Sequence, residues 1–234
     1  MANNKFCNIG LGGTVTEGIF VRFPDLIPVV REHYWREDGR HSKLLLIGES
    51  NYFDDNDVKH CDFLDAVKWY KAADARLIPD YRKRDVSNDI GYKTFNKVFN
   101  IMDRVLTEAN VEHETGLSEA AFYNYFLRSA YNASGNKGFK PQPIDNEVSG
   151  EALTGIISEI KPDTIIFLSK LAYEAFNNYC ATKGLAYSDI ITERVSHPAC
   201  RWWNRYGGVY GKAKFELLLK EHWVRPAKYL KYCD

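Results

Sequence analysis

Glycine and proline number only 16 and 8 in 234 residues, and no proline- or serine-rich stretch divides the chain. Collagen-like, low-complexity and disordered classes are excluded on that composition. Charge of one sign is missing too: 31 Lys and Arg stand against 31 Asp and Glu, a formal net charge of zero. A histone-like polybasic binder is therefore excluded, and any nucleic-acid surface has to arise by local segregation of charge. The five cysteines, at 7, 61, 180, 200 and 233, form no Cys-x-x-Cys pair. No zinc knuckle or thioredoxin-type motif is available, and the expectation is of reduced thiols in a cytoplasmic protein. No unbroken apolar run exceeds four residues, the length of Leu44 to Ile47, so no membrane span is expected. The first ten residues hold one lysine and no apolar stretch, so no secretory signal is expected either. No repeat of 20–50 residues is visible.

Hydrophobic residues make up 45% of the chain, enough at this length for one core burying roughly 70–75% of the unfolded surface. Residues 1–43 read as an irregular extension, punctuated by Gly10, Gly12, Gly13, Gly18, Pro24 and Pro28. Val15 interrupts the Gly-x-Gly-x-x-Gly pattern, which makes this a loop and not a phosphate cradle. Residues 44–234 read as one domain. Lys43–Ile47 predicts a short buried strand stopping at Gly48-Glu49-Ser50-Asn51, and Phe63, Val67, Trp69 and Tyr70 predict a helix. Phe95, Val98, Phe99, Met102, Val105 and Leu106 recur at helical spacing. Ala120–Phe126 predicts an aromatic-rich second strand, and Val148–Ile160 a helix that Pro162 terminates. Thr164–Leu168 is a third strand, Leu171–Tyr179 a helix and Ile190–Val195 a fourth strand. A last helix carries Phe215, Leu218, Leu219 and Trp223.

Strands alternating with helices predict an α/β fold, a three-layer α/β/α sandwich around a mainly four-stranded parallel sheet. In such sheets the ligand crevice lies beyond the carboxyl ends of the strands. That rule singles out Gly48-Glu49-Ser50-Asn51, Asn124, Ser169-Lys170 and Ser196-His197-Pro198, which bring a carboxylate, an amide and an imidazole to one crevice.

At those positions the chain resembles the uracil-DNA glycosylase superfamily. The resemblance rests on Gly48-Glu49-Ser50-Asn51-Tyr52, Phe122-Tyr123-Asn124-Tyr125, Lys161-Pro162 with the strand and Ser169-x-x-Ala helix after it, and Ser196-His197-Pro198-Ala199. They occur in the family's order from about Lys43 to Trp223. Asn51 stands where proline is usual, Ser169 where glycine is usual, and Ala199 where serine is usual. The resemblance implies a DNA glycosylase that cleaves the N-glycosidic bond of a flipped uracil or related deaminated base in DNA repair. Glu49 would orient water or stabilise the sugar cation, and His197 would donate to the base oxygen. Gly48, Ser50, Asn51 and Asn124 would hold the base, and Phe63 would stack on it. Ser169, Ser196, Arg201, Trp202 and Arg205 would meet the nucleic acid. The cysteine spacing of the family's iron–sulfur branches is missing, so no cofactor or metal is expected, and the chain is expected to act as a monomer on DNA. A non-catalytic relative that binds nucleotide, nucleic acid or a protein partner is the alternative.

The chemistry agrees with those roles. Glycosidic cleavage separates an oxocarbenium-like sugar from a base anion, and each charge needs its own stabilising group. A base inside a duplex must first be extruded, at a cost of a few kcal/mol, and one amide supplies both a donor and an acceptor to its edge. Other motifs carry less. Asp55-Asn56-Asp57 lacks the glycine and terminal glutamate of a calcium loop, Cys200 has no orienting partner in the sequence, and adjacent Ser169 and Lys170 do not make a dyad. From Arg194 to Lys214 there are five basic residues and no acidic one, with Trp202, Trp203, Tyr206 and Tyr210 interleaved. That composition suits either a phosphate-tracking, base-stacking surface or a solvated loop with two tryptophans in the core.

Overall fold

The computed structural model describes residues 19–22, 26–36, 38, 40–53, 65–71, 93–131, 139–205 and 210–224. Five strands form one sheet: β1 (Val29–Val30), β2 (Leu44–Phe53), β3 (Ala120–Tyr131), β4 (Thr164–Phe167) and β5 (Ile191–Arg194). Their spatial order is β1-β3-β2-β4-β5. The last four are mutually parallel, and β1 pairs antiparallel with β3. The helices are α1 (Ile19–Arg22), α2 (Ala66–Lys71), α3 (Lys93–Glu108), α4 (Pro143–Ile160), α5 (Lys170–Lys183) and α6 (Gly211–His222).

The sheet is covered on both faces, as the alternation of strands and helices requires. One face carries Leu45, Ile47, Tyr123 and Ile165 against Val148, Leu153 and Ile156 of α4 and Ala172 and Phe176 of α5. The other carries Leu44, Leu46, Phe122 and Ile166 against Val98, Met102 and Val105 of α3 and Phe215 and Leu219 of α6. The chain reaches β3 from β2 by way of α3 on one face, then passes by way of α4 on the opposite face to β4, on β2's other side. From β2 the chain goes first to α2, whose Ala66, Trp69 and Tyr70 pack on the α4 face, and only then to α3 on the other face.

Three expectations need correction. The segment before residue 44 is more than an irregular extension: it supplies β1, a fifth strand, and a 3₁₀ turn, Glu32–Trp35, whose buried Tyr34 donates to the Ile160 carbonyl at 3.1 Å. β2 does not stop at Gly48 but runs to Phe53, so Glu49, Ser50 and Asn51 are strand residues. β3 extends five residues beyond Phe126, through Arg128 and Ser129, which look like strand terminators. Arg128 is buried because Asp145 at the start of α4 takes its guanidinium in two hydrogen bonds, 2.9 and 2.6 Å, and the Phe139 ring lies 4.9 Å beneath it. Helix ends follow local chemistry: α4 closes on Lys161 in the left-handed region (φ 47°) ahead of Pro162, and α5 closes on Gly184 (φ 65°). No described helix is long and apolar enough to cross a membrane.

Candidate functional site

Ser169 and His197 follow β4 and β5, whereas Gly48, Glu49 and Asn124, expected at strand ends, lie within β2 and β3, which run on to Phe53 and Tyr131. Gly48 and Asn124 are register partners on β2 and β3. A Cβ at Gly48 would lie 2.1 Å from Asn124 Oδ1 and 3.0 Å from the Phe122 ring, so only glycine lets the Asn124 amide lie across β2. Asn124 Nδ2 donates to Asn51 Oδ1 at 2.9 Å, which uses one of its two hydrogens and fixes the plane of the amide.

β4 pairs with β2 only as far as Ile47↔Phe167. Beyond that point Glu49 faces the loop after β4 and no neighbouring strand on that side. Ser169 Oγ fills the position, donating to Glu49 Oε2 at 2.6 Å and accepting the Ala172 N–H at 3.3 Å as the N-cap of α5. One buried hydroxyl therefore starts the helix and orients the carboxylate. The sequence suggested Ser169 as a nucleic-acid contact; its side chain is instead buried and directed at Glu49. Lys170 beside it is exposed and pairs with Glu174 at 3.4 Å, so no Ser–Lys dyad forms.

His197 lies three residues beyond β5, half-buried, with Ser196 half-buried before it and buried Pro198 after it. Lys97 of α3 reaches the Pro198 carbonyl at 3.4 Å, a tie no sequence motif signalled. Burial pushes the His197 imidazole below its ordinary value, and the negative charge of Glu49 opposes that shift. The ring is thus neutral at neutral pH and lies within the field of the Glu49 carboxylate. Its Nδ1 accepts the Ala199 N–H at 3.2 Å, so in the neutral ring the proton sits on Nε2. The site accordingly holds a neutral donor, a positioned carboxylate and an oriented amide. The buried Ser50 Oγ, on β2 next to Glu49, has no hydrogen-bond partner, and it is a group a ligand could satisfy.

The basic and aromatic loop divides in two. Trp203 is buried against Phe215 and belongs to the core. Trp202 is half-buried, with Arg205 3.6 Å and Arg201 5.0 Å from its ring centre, and Tyr210 stacked on it at 5.9 Å. Phe63 and Asp54–Asp57 lie outside the described residues. Cys180 is buried and Cys200 half-buried, both as free thiols. Among the described residues no group of three or more His, Cys, Asp or Glu is arranged to hold a metal ion. Neither a protein-family model nor a curated protein sequence matches the chain.

Proposed function

We propose that the chain is a nucleic-acid base glycosylase of the uracil-DNA glycosylase type, which releases a deaminated base from DNA. The observation that supports the reading is Glu49 and Asn124 on the adjacent parallel strands β2 and β3, with His197 three residues beyond β5 and close enough to Glu49 to feel its charge. Asn124 reads the edge of an extruded base with the amide capacity that Asn51 leaves over. His197 Nε2–H donates to the base oxygen on which negative charge grows as the glycosidic bond breaks. A neutral donor suits this step, because its hydrogen bond to an uncharged base oxygen strengthens as negative charge develops there in the transition state. Glu49, held by Ser169, places its carboxylate for the sugar cation or for the water that captures it.

The test is single-turnover release of free base from oligonucleotides carrying uracil, hypoxanthine or xanthine, single- and double-stranded, with enzyme in excess. Release from at least one substrate is expected, with Glu49→Gln and His197→Ala each slower by about 10²–10³, the scale of losing one preorganised electrostatic group. No release from any of them by protein that melts cooperatively would end the reading. Binding of the same oligonucleotides without release would favour the non-catalytic alternative, which the Asn51–Asn124 bond supports by holding one amide hydrogen away from a ligand.

A further inference from the structure

Arg201 and Arg205 differ from the ion-paired basic side chains in the company they keep. Arg36, Arg104, Arg128, Lys170, Lys183, Lys214 and Lys220 each meet a carboxylate within 4.0 Å. Arg201 and Arg205 meet an indole: both guanidinium carbons lie within 5.0 Å of the Trp202 ring centre. Among the described residues neither is paired with a carboxylate. The two like charges are thereby closer together than the roughly 10 Å over which 0.1 M salt screens them. Such an arrangement is stabilised by an anion. The indole offsets part of the repulsion through its negative face, and Tyr210, stacked on the same indole, braces it.

We propose that Arg201 and Arg205, laid on Trp202, form a clamp for the phosphodiester groups of a nucleic-acid strand. A guanidinium resting on a ring turns its N–H edges outward in a fixed plane, which is the geometry that forks onto a phosphate. Trp202 therefore acts as a platform for the arginines and not as a wedge between bases, since Arg205 at 3.6 Å already covers an indole face. The clamp sits four to eight residues beyond His197, joined to it by successive turns in which Cys200 N–H donates to the His197 carbonyl, Trp203 N–H to Cys200 and Arg205 N–H to Trp202. A strand held there would run past His197. The proposal rests on the glycosylase reading only for identifying the polyanion as nucleic acid.

The experiment is fluorescence anisotropy with an undamaged, labelled duplex and its single strand, titrated with the full chain at KCl concentrations between about 50 and 200 mM. Arg201→Ala and Arg205→Ala should each weaken binding and each lower the slope of log affinity against log salt, by about 0.9 on duplex or 0.7 on single strand. The Arg201→Lys/Arg205→Lys double variant keeps both charges, so it should retain the slope while losing affinity several-fold. Wild-type protein with no salt-sensitive binding to either probe overturns the clamp, as do alanine variants with unchanged affinity and slope. Base release on damaged oligonucleotides separates the two claims. An arginine-dependent slope without release removes the glycosylase and leaves the clamp, whereas release with an arginine-independent slope does the reverse.

Discussion

A single carbon atom added at Gly48 is enough to disturb the site, because it would fall 2.1 Å from Asn124 Oδ1. The colliding group is the end of a short side chain, so Gly48→Ala should leave a folded protein, less stable by about 1–3 kcal/mol, in which Asn124 has left its place above β2. The expected outcome is loss of base release or ligand binding with a cooperative melt retained, and an unmoved Asn124 in a variant structure would contradict it. Ser169 is the second residue on which the site depends. Ser169→Ala removes the donor to Glu49 and the cap on α5, the latter costing about 1 kcal/mol, whereas Ser169→Thr keeps a hydroxyl for both. With Glu49 released, the counter-charge that opposes the downward shift of His197 is weakened, so the His197 titration followed by NMR should move lower in the alanine variant and return in the threonine variant. A purely structural role for Ser169 would change the melting temperature and leave that titration where it was.

At the scale of elements, the Arg128–Asp145 pair fastens the long end of β3 to the first turn of α4. Asp145 is fully buried and also accepts from the Tyr70 hydroxyl at 3.1 Å and the Gln142 N–H at 2.7 Å. It thereby joins α2, β3 and the N-terminus of α4 through one carboxylate. Asp145→Ala leaves the Arg128 guanidinium buried without its counter-charge, and such losses cost about 3–5 kcal/mol. Urea denaturation should register that loss, while replacing Arg128 and Asp145 together by apolar residues of similar volume should recover part of it. A cost below 1 kcal/mol for the single variant would mean that water reaches the pair.

Across the whole molecule, the opposite end of the sheet is held by a second buried carboxylate. Glu119, immediately before β3, accepts from His41 Nε2 at 3.0 Å and His33 Nδ1 at 2.7 Å, shares the Ser118 hydroxyl at 2.9 Å, and has Arg36 at 3.5 Å. Burial alone would raise its titration, but the bonds from His41, His33 and Ser118 and the Arg36 charge outweigh it and bring it from 4.5 to about 2. A carboxylate lowered by folding contributes stability that is complete above 4.5 and lost as the pH falls from 4.5 towards 2. His197 is lowered as well, but it is a base that folding keeps neutral. Its contribution is present above 6.5 and lost as the pH falls below 6.5, where the unfolded chain takes up the proton first. Denaturation measured across pH should show both limbs. Glu119→Gln should abolish the acid limb and His197→Phe the one nearer neutrality, and a profile unchanged in either variant would count against that assignment.

The order of the main strands and helices could be read from periodicity alone, because Thr164–Leu168 admits no exposed face and the 95–106 stripe repeats at the helical period. The same reading singled out Gly48 and Asn124, which are register partners on β2 and β3, but took for strand ends what are strand interiors. Where the reading stopped short, the missing information was long-range. Arg128 looks like the end of a strand until Asp145, seventeen residues later, makes it a buried one. Trp202 and Trp203 are indistinguishable in sequence, and only the approach of α6 sends one into the core and leaves the other under two arginines. Ser169 shows no sign of its tie to Glu49, 120 residues earlier, because that bond exists only where β4 ends sooner than β2. Local chemistry thus sets the main strands and helices and their order along the chain. The tertiary structure decided which polar groups are satisfied by partners far along the chain, because a buried charge or hydroxyl is stable only where the fold supplies its counterpart.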